Sequence, residues 1–222
     1  MGIKSKEMLL NGAAELGVTL DDAAVAKLFA YKDFVLEYNK KVNLTAIVSE
    51  EDFITKHFLD SLSLLPELGI GTNTKLIDIG TGAGFPGVVL KIANDALDLT
   101  LLDSLNKRIT FLQEVVAMLE LQNVECIHAR AEEVLRTRGE LRQGFDYAVA
   151  RAVTKLPKLV EYCMPFVKSG GEFIAMKGRN YNEELAEAAG AIKRCNGEVA
   201  CVREVKLAGD EIVHSIIKIR KM

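Results

Sequence analysis

Lys75-Leu-Ile-Asp-Ile-Gly-Thr-Gly-Ala-Gly-Phe-Pro-Gly-Val-Val-Leu90 is a short apolar run that stops at four glycines and resumes as an apolar helical segment. Leu76, Ile77 and Ile79 read as a buried strand, while Gly80, Gly82, Gly84 and Gly87 let a loop adopt positive φ and approach a ligand closely. Pro86 suits a first helical turn, where its missing N–H removes a donor that has no partner anyway. The pattern is that of a first strand, loop and first helix in a nucleotide-type α/β domain. Gly82-x-Gly84-x-x-Gly87 formally satisfies the dinucleotide fingerprint.

Asp78 shifts the balance between cofactors. A carboxylate two residues before the first glycine would repel a pyrophosphate cradled in the loop, whereas the sulfonium and ammonium of S-adenosylmethionine are cationic and would be favoured. The alternative is that Asp78 caps the loop backbone. Acid-x-Gly-x-Gly-x-Gly between a strand and a helix resembles the first motif of class I S-adenosylmethionine-dependent methyltransferases. An NAD-dependent Rossmann oxidoreductase and a non-catalytic cofactor-binding regulatory module are the competing readings.

The 222 residues, 49% of them hydrophobic, suffice for one sizeable core with an appendage. A net charge of −3 gives no global reason to bind nucleic acid, so such binding needs a local basic patch. Cys126, Cys163, Cys195 and Cys201 show no metal spacing and read as reduced core residues, and no metal site is expected. There is no signal-type apolar segment or bilayer-length run, which predicts a soluble, cytoplasmic protein without a membrane partner.

Residues 1–72 read as an N-terminal helical cap: Ser5 to Leu16, a helix from Asp21 with Val25, Leu28, Phe29, Val35 and Leu36 on one face, and a third from the capping box at Ser49 through about Leu65. Pro66 and Gly69 stop that helix. Residues 73–222 alternate strand and helix, which predicts a mostly parallel sheet covered on both faces. Strands are expected at 75–79, 99–103, 124–128, 145–150 and 171–176. Leu105, Ile109, Leu112, Val116 and Leu119 mark the helix after the second strand. The last two strands, 197–207 and 211–220, flank a tight turn at Ala208-Gly209-Asp210 and must pair antiparallel, giving a seven-stranded Rossmann-like α/β fold.

In an open α/β sheet, ligands lie outside the carboxyl ends of the strands. Asp103 ends the second strand about twenty residues beyond the glycine loop, where a carboxylate can accept both ribose hydroxyls. Ala131 and Glu132, after the third strand, offer a small residue and backbone amides to an adenine edge. Arg151, after the fourth strand, presents a forked guanidinium suited to a carboxylate, a phosphate or a guanine edge. A structural ion pair is its simpler role. The cap pair His57 and Asp60 reads as a polar contact to the core rather than an acid–base pair. Neither an Asn/Asp-Pro-Pro-aromatic motif nor a Pro-Cys nucleophile is present.

Asn43-Leu44-Thr45, His57 to Ser61, Asp78 to Gly87, Leu102 to Arg108 with Phe111-Leu112, Arg151-Ala152 and Lys177-Gly178 together resemble the RsmG/GidB family, in order and over nearly the whole chain. That resemblance implies methylation of guanine N7 in 16S ribosomal RNA, free or in a small-subunit assembly intermediate, using S-adenosylmethionine; a monomer is the expectation, though no residue pattern sets the oligomeric state. It implies cofactor contacts at Gly80, Phe85, Asp103, Ser104, Leu105, Ala131, Glu132 and Arg151, beside Asp78, Gly82 and Gly84 of the loop. No catalytic residue is assigned, and Arg151 is a candidate orienting group. For RNA, Lys40, Lys41 and Lys56 in the cap, Lys155 and Lys158 after the fourth strand, and Lys177 and Arg179 after the fifth are the expected basic rim.

Overall fold

β1 (Lys75–Ile79) sits at the middle of a seven-stranded sheet because it has an apolar residue for both faces: Leu76 faces one core cluster, Ile77 and Ile79 the other. The computed structural model describes residues 2–178, 181–207 and 213–222. β2 (Asp98–Asp103), β3 (Val124–His128), β4 (Phe145–Arg151) and β5 (Val167–Lys177) run parallel to β1. β6 (Gly197–Lys206) and β7 (Val213–Lys221) complete the order β3-β2-β1-β4-β5-β7-β6. β7 pairs antiparallel with both β5 and β6. The expected turn at 208–210 lies outside the described residues.

The chain leaves β1 toward β2 and β3, then returns to β4 on the other side of β1. That reversal opens a crevice above the carboxyl ends of β1 and β4. β5 begins earlier than the sequence suggests. Its ladder with β4 is interrupted between Phe145–Val167 and Tyr147–Glu172, where Gly170 takes a φ of +78°, a local irregularity that alternation cannot reveal.

Before β1 come α1 (Ile3–Glu15), α2 (Asp22–Asn39), α3 (Glu50–Phe53) and α4 (Asp60–Leu62). Asp21 and Ser49 cap α2 and α3 by accepting from Ala24 N and Asp52 N. α1 has no side-chain cap, and Ser5 lies inside it. The third helix is not a single α-helix. Between α3 and α4, Ile54–Leu59 forms a wider π turn, and the Lys56 carbonyl there accepts from Arg151 Nη1 at 2.9 Å. An outside donor that captures a helix carbonyl loosens the regular ladder, and no sequence period records it.

α5 (Gly87–Ala93) and α6 (Asn106–Met118) share one sheet face with the N-terminal helices. α7 (Ala131–Thr137), α8 (Leu156–Cys163) and α9 (Tyr181–Arg194) cover the other. Leu105 is exposed at the entry to α6 and does not join its buried stripe of Ile109, Phe111, Leu112 and Val115. Of the four cysteines only Cys163 is buried, and Cys201 is exposed on the edge strand β6. No helix among the described residues is long and apolar enough to cross a membrane.

Candidate active site at the glycine loop

The glycine loop turns sharply after β1. Gly80 N and Thr81 N donate to the Leu102 carbonyl, and Gly84 N and Phe85 N both donate to the Thr81 carbonyl. Gly84 has a φ of +98°, and a Cβ there would lie 2.6 Å from Val88 Cγ2 and 2.7 Å from the Tyr31 hydroxyl. No other residue type fits. Gly82 has a φ of +63° and a Cβ there would project into open space, so the loop is bare backbone at that point.

Asp78 does not face that crevice. It is wholly buried beneath the loop, where its Oδ2 accepts from Thr81 Oγ1 and Gly87 N, both at 2.8 Å. The sequence expectation that its charge meets a sulfonium gives way to the capping role, because alternation along β1 turns position 78 toward α5. Burial pushes its carboxyl up to about 6, against the opposing pull of Thr81, Gly87 and Arg151. Between about pH 4 and 6 the folded protein therefore holds a proton that the unfolded chain releases, so this group subtracts stability as pH rises through 6. Asp78→Asn keeps an acceptor for both donors. It is expected to unfold in urea at pH 7.5 with about 1–3 kcal/mol more stability than the parent and a flatter pH dependence. A less stable variant that has lost a rise of stability with pH would show instead that the charge itself holds the loop.

Asp103, at the end of β2, is buried to 3% exposure and ties the site together. Its Oδ2 accepts from Gly82 N at 2.9 Å and pairs with Arg108 Nη1 at 3.3 Å, while Oδ1 accepts from Leu105 N at 2.9 Å. A cleft of about 190 Å³ opens beside it, lined by Gly80, Ser104, Ala131 and Glu132 as expected. Val153 and Tyr162 also line it and carry no signal in the sequence. Val153 is placed there by Ala152, which takes a φ of +53° and turns the chain over Gly80 as it leaves β4.

Gly82, Gly84, Phe85, Leu105 and Arg151 do not line this cleft. The Phe85 ring turns away into the helices, stacked on His57 at 4.2 Å with 6° between planes, with Arg151 5.1 Å from its centroid. Arg151 Nη1 donates to the Lys56 carbonyl and to Asp60 Oδ2, both at 2.9 Å, and Nη2 lies 3.1 Å from His57 Nδ1. The guanidinium is thus engaged in joining β4 to the π turn. Facing a donor, His57 Nδ1 must accept, so the proton sits on Nε2 and is donated to Thr45 Oγ1 at 2.8 Å. Burial, and then Arg151, lowers the His57 pKa to about 3.

The basic rim divides. Lys177 is withdrawn: its ammonium pairs with Glu184 at 2.7 Å and donates to the Thr154 carbonyl, with its side chain 10% exposed. Lys155 stands out in solvent with a loose 3.4 Å contact to Glu187, and Lys158 lies over the Tyr162 ring at the edge of the cleft. Lys40 and Lys56 pair with Glu37 and Asp52 on their own helical stretches. Arg179 lies outside the described residues. Among the described residues no group of three or more His, Cys, Asp or Glu is placed to hold a metal ion.

A glycine loop, a strand-end carboxylate and a small-residue turn around one cleft can hold a nucleoside, and residues 24–213 match the family described as rRNA small subunit methyltransferase G, GidB. The chain belongs to that family. Over 217 residues it is 50% identical to the ribosomal RNA small subunit methyltransferase G of Alkaliphilus oremlandii, covering 98% of this chain and 90% of that one. The protein of the same name from Acetivibrio thermocellus is 47% identical over 219 residues, covering 99% and 89%. Among solved structures, M. jannaschii TYW2 in complex with AdoMet superposes with a TM-score of 0.57 at 16% identity, over 73% of this chain and 77% of that one. A SAM-dependent methyltransferase from Aquifex aeolicus gives 0.54 at 18% identity, over 72% and 89%. Those two share the fold. The family is one of S-adenosylmethionine-dependent rRNA methyltransferases, and neither the oxidoreductase nor the regulatory-module reading is supported.

Proposed function

We propose that the protein methylates N7 of a guanine in 16S ribosomal RNA. S-adenosylmethionine supplies an electrophilic methyl group on a sulfonium. Guanine N7 carries an in-plane lone pair and needs no deprotonation before attacking it. The residues of the chain then have to hold the two partners in line and tolerate charge moving from sulfur to base, which is catalysis by orientation and electrostatics. Asp103 Oδ1, which accepts from Leu105 N alone, would have a lone pair for a ribose hydroxyl, Ala131 and Glu132 would border the adenine, and the bare backbone at Gly82 would leave room for the tail.

The observation that carries the N7 reading is the state of His57. It is the histidine packed against the glycine loop, and it is neutral, buried and bonded at both nitrogens, so it has no proton-accepting role to play at neutral pH. Single-turnover methylation with saturating cofactor and RNA is expected to be nearly flat from pH 6.5 to 8.5. A rise of about tenfold per pH unit would mean that a base must ionise, and would exclude the reading. Mass spectrometry of ribosomal RNA from a deletion strain, showing loss of one 7-methylguanine, identifies the product directly.

Lys155 and Lys158, with Lys40 and Lys41 on the helical side, are the rim that meets RNA in this reading. Replacing Lys155 and Lys158 by Gln should weaken RNA binding and flatten its salt dependence while leaving cofactor affinity alone. An unchanged salt slope would place the RNA elsewhere.

A further inference from the structure

The glycine loop is gripped from the side opposite the cleft, by helices that precede it in the chain. Tyr31, on α2, is wholly buried, and its hydroxyl donates to the carbonyl of Ala83 at the crest of the loop. Burial raises its pKa well above that of a free tyrosine, so the hydroxyl keeps its proton and acts as a donor. Two residues on, the Phe85 ring is enclosed by Tyr31 at 5.3 Å, Phe53 at 5.8 Å and the flat stack of His57 at 4.2 Å. His57 is itself oriented by Thr45, and Thr45 is held by Asn39, which accepts from Leu44 N and Thr45 N and donates to the Thr45 carbonyl. The loop thus has two anchors, at Ala83 and Phe85, flanking Gly84.

We propose that Tyr31 is a positioning residue for S-adenosylmethionine: its bond to the Ala83 carbonyl, with the Thr45–His57 stack on Phe85, sets the glycine loop in its cofactor-binding conformation. Within the loop, backbone bonds close a single turn on the Thr81 carbonyl. Gly80, Gly82 and Gly84 all take positive φ and have many other conformations available, so the entropy of ordering them must be met from outside. Asp78 and Asp103 fix the two ends of the loop through Gly87 N and Gly82 N, and at the crest between them, where Gly84 N and Phe85 N close on the Thr81 carbonyl, Tyr31 is the side-chain anchor. A loop ordered before the cofactor arrives costs less binding energy than one ordered on arrival.

Tyr31→Phe removes the one hydroxyl and keeps the ring. Calorimetric titration with S-adenosylmethionine is expected to show about a tenfold weaker Kd, while RNA binding without cofactor is unchanged. Val35→Ala, one turn further along the buried face of α2, is the stability-matched control and should keep its cofactor affinity within twofold. Thr45→Val, which removes the partner of His57 Nε2 without touching α2 or the loop, should weaken the cofactor severalfold, and it decides the matter if Tyr31→Phe does not fold. Cofactor affinities within twofold of the parent in the folded variants would overturn the proposal and leave Tyr31 as a packing residue. Equal loss of affinity in Val35→Ala would overturn it too, because loss of stability alone would then account for the effect.

Discussion

Asp103→Ala is expected to weaken S-adenosylmethionine binding by about 1–3 kcal/mol, the cost of deleting a charged hydrogen-bond partner, or about five- to more than a hundredfold in Kd. Two contributions add. The carboxylate already accepts from Gly82 N and Leu105 N, so its loss frees the loop and the turn that face each other across the cleft. It also removes the acceptor offered to the ribose. A cofactor analogue lacking a ribose hydroxyl separates the two: it should bind the parent more weakly than S-adenosylmethionine does, yet be no further penalised in the variant. Asp103→Asn is not a mild substitute, because each oxygen faces at least one donor and an amide nitrogen must meet one of them head on. Calorimetry showing affinity unchanged in Asp103→Ala would remove this residue from the site.

Much of this was legible in the chain because it depends on local pattern. The run from Lys75 to Gly87 specifies strand, loop and helix through alternation and glycine placement, and the alternation of strands with helices specifies a mostly parallel sheet, whereas the reversal of strand order at β1 is set by packing that no local pattern records. Asp103, Ala131 and Glu132 were legible for the same reason, since each follows the end of a readable strand. Tyr31 was not. It shares a buried helix face with Leu28 and Val35, and nothing in that pattern says that its hydroxyl reaches a carbonyl 52 residues away. Tyr162 looks like one more apolar residue of α8, and Val153 reaches the cleft only through the left-handed Ala152, which sequence does not single out. The charge of Asp78 points to the cofactor, but its place on β1, on the same face as Leu76, turns it under the loop toward Thr81 and Gly87. Lys177 misled because its partner, Glu184, comes from a helix that only the tertiary fold brings over β5.

Arg151→Met is expected to cost about 3–5 kcal/mol of folding stability in urea at pH 7, the price of breaking a buried ion pair from one side. The guanidinium satisfies Asp60, whose side chain is 4% exposed, together with the Lys56 carbonyl of the π turn and His57 Nδ1. A thioether replaces none of those bonds. His214, with Nδ1 3.3 Å from Oδ1, stays beside Asp60 in the variant but does not replace the bonds that the guanidinium made to Oδ2 and the Lys56 carbonyl. Arg151→Lys separates charge from geometry. An ammonium keeps the attraction to Asp60 but cannot reach a carboxylate, a carbonyl and an imidazole with the planar fork of arginine, so a loss of about 1–2 kcal/mol is expected there. The double variant Arg151→Met with Asp60→Leu should recover much of the loss of the single one, because it leaves no stranded carboxylate. A loss below about 1 kcal/mol in Arg151→Met would mean that water reaches Asp60 readily. Arg151 would then be released from its structural duty, and its forked guanidinium would be available to the guanine edge or the cofactor carboxylate after all.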